Sequence, residues 1–319
     1  MKVLHLHNIA GVPVTLARAQ RKLGVQADVV VFREHSAKYP HDYNMKVDRF
    51  PRVLQPAVRI KELLKRYNDY DVYHMHSASF LPFYADAPLL KAMGKKVVYT
   101  HWGSDIRFKG VPWHSFSRFC DLRYVGSPDL IEWAPKGTPW LPYPIDLDYW
   151  KADDAKKTSK GKASNRKGNA VKILHAPTNR AIKGTETVLK AIEALKAEGQ
   201  PVELMLLENI PHSKVKDFYG KADIVVDQLV TGFYGTFACE TMALGKAVCC
   251  YVRKDLLKYV PNCPIVNSTK ESLEENLRQL VENTAERKRI AAKGRSYVKS
   301  VHDSIKIAKQ TLRDYDKII

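Results

Sequence analysis

Short apolar runs rich in β-branched residues alternate with amphipathic stretches along this chain, and the alternation occurs twice. It extends from KVLHL (residues 2–6) to WLPYP (residues 140–144), stops, and resumes at VKILH (residues 171–175). Short buried strands separated by helices are typical of parallel sheets covered by helices. We therefore predict an α/β chain with two doubly wound domains, residues 1–150 and residues 171–302. Residues 140–144 are expected to form the last strand of the first domain.

A polar segment separates the two halves. Residues 151–170 carry seven Lys or Arg against two Asp, and contribute +5 of the net charge of +18. This stretch is rich in Lys, Ser and Gly and contains almost no large apolar residue, so it cannot add to a core. We predict a basic flexible linker or loop there.

Composition excludes several classes of protein. The apolar fraction of 45% is ordinary for a globular chain, and no apolar run approaches the roughly 20 residues that span a bilayer. The five cysteines form no CxxC pair, which predicts reduced thiols in a cytoplasmic protein rather than disulfides or a zinc site. Basic residues are not interleaved with aromatic ones in a stripe, so nucleic acid is an unlikely partner.

An amphipathic helix with four basic residues is predicted at residues 56–67 (PAVRIKELLKRY). A surface helix of the sheet is the favoured interpretation. A peripheral contact with an anionic membrane surface remains the alternative, because the helix is basic.

The stretch at residues 227–246, DQLVTGFYGTFACETMALGK, combines a strand end, two glycines and the start of a helix. Glycines allow close approach of the backbone to a ligand, and amide groups at a helix start favour a phosphate. An ordinary strand-to-helix turn carries about equal weight from spacing alone. Just upstream, a short helix after the strand VELML is expected to be capped by Ser213.

Three other strand ends carry polar side chains. His7, Asn8 and Gly11 follow the first strand and are expected to face a cleft. His101 and Asp105 flank a glycine directly after the strand KVVYT, a position where active-site groups collect. His74 and His76 are interpreted as structural, the commoner role for a lone histidine.

In their order along the chain, five segments resemble the GT-B glycosyltransferases, specifically the retaining family 4 group that uses nucleotide sugars. The segments are HNIAGVP (7–13), YTHWGSD (99–105), LPYPIDLDYW (141–150), PTNRAIKG (177–184) and GFYGTFACETMALGKAV (232–248). The resemblance implies two Rossmann-like domains facing a central cleft, with the C-terminal helix, at about 303–319, packing back on the first domain.

The resemblance also implies roles for residues. Arg180 and Lys183 would clamp the donor diphosphate, Glu240 would take the ribose hydroxyls, and His101 with Asp105 would stand near the reacting sugar or the acceptor. The implied catalytic set is His101, Asp105, Arg180 and Lys183. The implied donor-binding set is Gly11, Asn179, Arg180, Lys183, Ile210, His212, Tyr234, Gly235, Thr236, Phe237 and Glu240.

One departure from the family pattern stands at Gly232, where the family commonly has a second glutamate eight residues before Glu240. Its role near the sugar cannot be transferred to this chain. Asp227 and Gln228 are nearby candidates to replace it.

The sequence therefore predicts a retaining, metal-independent hexosyltransferase that needs no cofactor. Its donor would be a UDP- or GDP-linked sugar, and its acceptor a saccharide or a lipid-linked saccharide. A peripheral position on the inner face of a membrane is compatible with the basic helix. The alternatives are a catalytically altered sugar-nucleotide-binding protein or epimerase and, less favoured, a basic nucleic-acid-binding protein.

Overall fold

The computed structural model describes residues 1–107, 116–151 and 170–319. The chain forms two compact units, one of Met1–Asp146 with Asp303–Ile319, and one of Leu147–His302. The units divide after Asp146, so the predicted boundary at residue 150 is displaced into the second unit. The predicted basic linker lies, apart from its two end residues, outside the described residues.

The first unit is built on a sheet of parallel strands in the order β3-β2-β1-β4-β5-β6. The strands are β1 (Lys2–Leu6), β2 (Gln26–Val31), β3 (Tyr43–Asn44), β4 (Val72–His76), β5 (Lys96–His101) and β6 (Leu122–Val125). The helices are α1 (Val12–Lys22), α2 (Gln55–Arg66), α3 (Asp86–Ala92) and α10 (Ser304–Asp316). Alternate residues of β1 point to opposite faces, so Val3 packs toward α1 and α10, whereas Leu4 packs toward α2 and α3.

The C-terminal helix α10 completes one layer of the first unit. The side chain of Asp303 caps the helix by accepting a hydrogen bond from the amide of Ile305 at 2.9 Å. Ile307 and Tyr315 are buried in the same core as Leu16 of α1. Burial of this apolar face joins the last residues of the chain to the first unit.

The second unit contains a parallel sheet in the order β11-β10-β9-β7-β8. Its strands are β7 (Val171–His175), β8 (Val202–Leu206), β9 (Ile224–Val226), β10 (Ala247–Cys250) and β11 (Val266–Asn267). Its helices are α4 (Arg180–Lys183), α5 (Thr185–Ala197), α6 (His212–Lys221), α7 (Thr236–Ala243), α8 (Leu273–Glu282) and α9 (Thr284–Val301). Ile173, Ile224 and Leu277 belong to its core.

Two local predictions were wrong. Residues 140–144 do not form a strand; Trp140 makes only an isolated bridge to Val125. Helix α6 begins at His212 rather than after a Ser213 cap, because Pro211 precedes it in an extended conformation that turns the chain directly into the helix.

Each sheet has a point where the strand order reverses, between β1 and β4 in the first unit and between β7 and β9 in the second. Loops leaving the two strands diverge there and leave a crevice in which ligands of α/β sheets bind. Among the residues described, no helix is long and apolar enough to span a membrane.

Candidate functional site

A buried ion pair joins the two loops at the strand-order reversal of the second unit. Lys183 is the last residue of α4, which follows β7, and its Nζ lies 2.6 Å from Oδ1 of Asp227, directly after β9. Oδ2 of Asp227 accepts a hydrogen bond from the amide of Gly235 at 2.9 Å. One carboxylate, only 1% exposed, thus holds a cation and the turn before α7 in place.

Asp227 is therefore central to the site. Its sequence position alone suggests only that it could replace the carboxylate absent at position 232. The amide of Gly235, a member of the implied donor-binding set, already donates to Asp227 in this structure. The ammonium of Lys183 also has its partner within the protein. The pair brings together the two predicted residues Lys183 and Gly235, which are far apart in sequence.

Arg180 lies at the surface near the start of α4 and also has a carboxylate partner. Its Nε and Nη2 donate to the two oxygens of Glu208 at 2.9 and 2.8 Å. The side chain of Asn179 caps α4 by accepting from the amide of Ile182 at 3.1 Å. Asn179 thus has a structural role, because its cap fixes the start of α4, where Arg180 lies.

Glu240 is buried in α7 and is paired with His212. Oε1 of Glu240 lies 3.1 Å from Nε2 of His212, the first residue of α6. Burial raises the pKa of Glu240, the hydrogen bond from His212 lowers it, and the charge of Asp227 raises it further. The effect of Asp227 shows that the two carboxylates lie in one electrostatic neighbourhood. Sequence reasoning placed both His212 and Glu240 at the donor, but not in contact with each other.

Aromatic residues around this pair are packed into the second unit. The ring of Phe237 lies 5.0 Å from that of Tyr219, and Tyr219 stacks at 5.6 Å on Trp150. The hydroxyl of Tyr234 lies 3.0 Å from both the Tyr297 hydroxyl and Nε2 of His302. The predicted donor contact of Tyr234 therefore cannot be made by its side chain, which is turned into the core.

The other predicted donor residues are spread over several elements. Thr236 is the first residue of α7 and is half-buried, and Ile210 is half-buried two residues before α6. Gly11 is in the first unit, at φ 71°, where a Cβ atom would stand 3.0 Å from the ring of Tyr39. A larger residue at that position would be strained, so the glycine allows the chain to enter α1.

His101 and Asp105 form the hydrogen-bonded pair that their spacing suggests. Nδ1 of His101 donates to Oδ2 of Asp105 at 2.7 Å, and Nε2 faces Nη1 of Arg123 at 3.3 Å. Burial alone would raise the pKa of Asp105, but the bonds from His101 and Gly103 outweigh burial and hold it below its usual range. His101 is fully buried, so contact with a sugar requires Arg123 to leave Nε2.

Three histidines that the sequence did not connect form a buried cluster in the first unit. His5, His74 and His76 are fully buried, and their ring nitrogens are grouped closely enough for a metal ion to be considered. The indole of Trp102 donates to Nδ1 of His76 at 3.1 Å, and Nε2 of His76 lies 3.0 Å from Nδ1 of His5. Nε2 of His5 lies 2.8 Å from Oε1 of Gln20.

These contacts determine which ring nitrogens of His5 and His76 carry the proton. An indole N–H can only donate and an amide oxygen can only accept. Nδ1 of His76 must therefore be the acceptor, Nε2 of His76 carries the proton, and His5 donates from Nε2 to Gln20. A nitrogen that carries a proton cannot bind a metal. The pattern favours neutral, hydrogen-bonded histidines, in agreement with the structural role predicted for His74 and His76.

Acidification is expected to destabilise the first unit through this cluster. Burial lowers the pKa of His5 to about 4 and the pKa values of His74 and His76 well below their usual range. Below pH 6.5 the unfolded chain therefore binds more protons than the folded chain, and stability falls as the pH falls toward 4. Each such histidine contributes about 1.4 kcal/mol per pH unit in this window.

Urea unfolding at a series of pH values between 7 and 4.5 measures how the free energy of unfolding changes with pH. Hydrogen exchange of the β4 amides over the same range gives the local readout. His76→Asn retains an acceptor for Trp102 but removes one titrating ring, so its slope should be smaller. His41→Gln is the matched control and should keep the full slope. Equal slopes for the two variants would show that the cluster does not titrate as stated.

Comparisons with known proteins identify the fold. The sequence model of Glycosyltransferase Family 4 matches residues 12–131. The matched residues all lie within the first unit. The resemblance predicted from sequence motifs is confirmed, and a search of the curated proteins finds no match.

Solved structures extend the likeness from the family 4 domain to the whole chain. Sucrose-phosphate synthase from Thermosynechococcus elongatus has a TM-score of 0.69 at 16% identity, with 100% of this chain and 99% of that chain covered. HepE from Anabaena, solved with UDP and glucose, has a TM-score of 0.67 at 14% identity, with 99% of each chain covered. UDP-GlcNAc 2-epimerase from Neisseria meningitidis, bound to UDP-GlcNAc, has a TM-score of 0.60 at 14% identity, with 99% of this chain and 100% of that chain covered.

The predicted α/β fold of the GT-B type is therefore confirmed. Glycosyltransferases and an epimerase share this fold, so the fold does not by itself distinguish transfer from epimerisation.

Proposed function

We propose that this chain is a retaining, metal-independent glycosyltransferase that moves a hexose from a UDP- or GDP-linked sugar to a saccharide or lipid-linked acceptor. The observation that carries the proposal is the cluster at the β7–β9 reversal, where Lys183, Asp227 and the Gly235 turn meet beside Glu240. Cations, a turn before a helix and a buried carboxylate suit a sugar nucleotide, which presents phosphates and a ribose diol.

To bind the diphosphate, Arg180 would exchange its carboxylate partner, Glu208, for phosphate oxygens. The side chains of Arg180 and Glu208 are 49% and 35% exposed. Exposed ion pairs of this kind add little to stability because solvent screens them, so an incoming diphosphate can displace Glu208 at little cost. A guanidinium then matches two phosphate oxygens with its fork, while Lys183 adds a point charge.

Glu240 would accept hydrogen bonds from the ribose hydroxyls. His212 holds the carboxylate in one orientation at 3.1 Å and favours its charged form against the effect of burial. A charged, oriented acceptor is the form that binds a diol best. In a retaining front-face reaction, the leaving phosphate takes the acceptor proton, and the protein mainly neutralises charge and positions substrates.

Epimerisation of the sugar nucleotide is the second candidate. Gly232 stands where the family commonly has a carboxylate near the sugar, which favours altered chemistry at that end of the site. Release of free nucleotide only when a saccharide acceptor is present would identify transfer. Interconversion of two nucleotide sugars with no acceptor would identify epimerisation.

A panel of UDP- and GDP-sugars is expected to raise the melting temperature, because a ligand that binds only the folded chain stabilises it by about 2.7 kcal/mol at one hundred times its Kd. Lys183→Ala and Glu240→Gln should each remove most of the shift. Lys196→Ala on the exposed side of α5 is the matched control and should retain it. If no nucleotide or nucleotide sugar stabilises the unaltered protein, the proposed function is wrong.

A further inference from the structure

A small cavity lies at the carboxyl ends of β1 and β2 in the first unit, and we call it the β1–β2 cavity. Its volume is about 240 Å³, and a second cavity of about 120 Å³ shares His7 and Arg33 with it. His7 directly follows β1, Phe32 and Arg33 directly follow β2, and α2 contributes Gln55 and Arg59. The carboxyl ends of parallel strands are where α/β sheets bind ligands.

The cavity has an excess of positive charge. Two guanidinium groups, those of Arg33 and Arg59, line it against a single carboxylate, Asp48. In the described part of the chain no ion pair joins either arginine to a carboxylate, and Nε of Arg59 is buried without a hydrogen-bond partner. Burial and the nearby charge of Arg33 both lower the pKa of Arg59, so the protein leaves this cation uncompensated.

Arg59 is nevertheless held in a fixed position. Its guanidinium lies 4.2 Å from the ring centre of Phe32, and that ring in turn lies 6.0 Å from the ring of His7. His7 has a φ of 72°, a left-handed conformation that is uncommon for residues other than glycine and is retained at sites where it serves a purpose. Burial, with His35 and Arg33, lowers the pKa of His7, so its ring is a neutral hydrogen-bonding group near pH 7.

The size of the cavity limits what can fill it. Sites for drug-sized ligands measure roughly 300–1,000 Å³, so a cavity of about 240 Å³ suits one charged group of a larger molecule. A guanidinium fork matches the oxygens of a phosphate or a carboxylate. An anion between Arg33 and Arg59 would also supply the negative charge that neither arginine finds in an ion pair within the described part of the chain.

We propose that Arg33 and Arg59 bind an anionic group, a phosphate or a carboxylate, in the β1–β2 cavity, and that the acceptor of the transfer reaction carries this group. The second half of this inference rests on the function proposed above, and the first half does not. The acceptor would then be a phosphorylated or acidic saccharide rather than a neutral one.

The anionic group could belong to a soluble sugar or to a lipid. Apolar side chains beside and along α2 are exposed, with Val53 at 82%, Leu54 at 50% and Leu64 at 51%. These residues would suit the apolar part of a lipid-linked acceptor next to the cavity. Both sources share the same anion chemistry, and the experiment separates them.

The first arm titrates inorganic phosphate into the protein and follows the amide and arginine side-chain NMR signals of the cavity. Phosphate should shift these signals, and Arg33→Gln and Arg59→Gln should each weaken binding roughly tenfold or more, the usual effect of losing a charge-assisted hydrogen bond. Arg52→Gln removes the same charge from a nearby exposed position that does not line the cavity, and should bind like the unaltered protein. Arg33 is exposed, so we expect Arg33→Gln to fold even if Arg59→Gln does not.

The second arm offers, with the nucleotide-sugar donor, a sugar phosphate, a uronic acid, the matching neutral sugar, and a glycolipid phosphate in vesicles of phosphatidylcholine. For whichever acidic acceptor is used as a substrate, the KM should be at least tenfold higher with Arg33→Gln than with the unaltered protein, while the KM for the donor is unchanged. A preference for the vesicle substrate assigns the anion to a lipid, and a preference for the sugar phosphate or uronic acid assigns it to a soluble saccharide.

The outcomes separate the two proposals. Equal phosphate binding by Arg33→Gln and the unaltered protein would overturn the anion site, whatever the donor results. Phosphate binding with no stabilisation by any nucleotide sugar would retain the anion site and overturn the transferase. Transfer to the neutral sugar with the same KM as to its phosphate would overturn the assignment of the anion to the acceptor.

Discussion

Asp227→Leu is expected to reduce the free energy of unfolding by about 3–5 kcal/mol, the usual result of removing one partner of a buried ion pair. The side chain of Asp227 is fully buried and that of Lys183 is 16% exposed. The substitution would leave the ammonium of Lys183 and the amide of Gly235 without their partner at once. It should also abolish stabilisation by nucleotide sugars, because Lys183 and the turn before α7 would no longer be held.

The measurement is urea unfolding, with hydrogen exchange of the β7 and β9 amides as the local readout, since a chain with two units need not unfold in one step. Asp217→Ala, at an exposed position of α6, is the control and should change stability by less than about 0.5 kcal/mol.

A double variant separates structure from binding. Lys183→Met with Asp227→Leu removes both charges, and well-packed apolar replacements of buried ion pairs are often neutral in stability. We expect this variant to recover most of the lost stability but none of the response to nucleotide sugar. Recovery of both would show that the pair only supports the fold, and that the diphosphate binds elsewhere.

The two α/β units can be predicted from the sequence because strands that are covered on both faces consist of continuous apolar runs. Runs such as ADVVVF and ADIVVD have no polar alternation, and in the structure Val29, Val30, Val225 and Val226 are all fully buried. Helix starts were harder to place, as at His212, because a proline can begin a helix without any capping side chain.

Local spacing also predicts local contacts. His101 and Asp105 lie four residues apart, and a turn after β5 brings them to 2.7 Å. Contacts between distant segments depend instead on strand order and register. Asp227 meets Lys183 from 44 residues away, and Arg33 and Arg59 line one cavity only because the first half of α2 lies beside the end of β2.

The orientation of a turn is equally hidden in the sequence. Tyr234 stands among the predicted donor residues, yet its ring faces Tyr297 because the turn before α7 points it inward. The same turn sets the environment of Gly232, where the sequence shows a missing carboxylate and the structure shows what occupies its space.

Gly232→Glu, which would supply the carboxylate usual for the family, is expected to destabilise the protein by roughly 2–6 kcal/mol rather than to improve it. Gly232 has a φ of 80°, which is strained for any side chain. A Cβ atom there would stand 2.6 Å from Cγ and 2.8 Å from Cδ of Arg253. The backbone cannot easily move away, because the amide of Arg253 donates to the carbonyl of Gly232 at 3.0 Å.

Two further variants divide this cost between strain and steric conflict. Gly137→Glu meets nothing within 4 Å at a φ of 84°, so it should show the strain alone, roughly 1–3 kcal/mol. Gly232→Glu with Arg253→Ala removes the obstructing side chain. Its loss of stability should therefore fall to about that of Gly137→Glu. If the double variant is no more stable than Gly232→Glu, Arg253 is not the obstacle.

Activity of the double variant then tests why the carboxylate is absent. The Cγ and Cδ atoms of Arg253 occupy the space that a side chain at residue 232 would need, and the guanidinium of Arg253 donates to Oδ2 of Asp255 at 2.7 Å. If the carboxylate were merely lost, Gly232→Glu with Arg253→Ala should raise turnover of the donor sugar once the strain is tolerated. If the site has been rebuilt around Arg253, Arg253→Ala alone should weaken the use of the donor, and adding the glutamate should not restore it. The second result is the one we expect, because the backbone of Gly232 and the side chain of Arg253 are packed as a single unit.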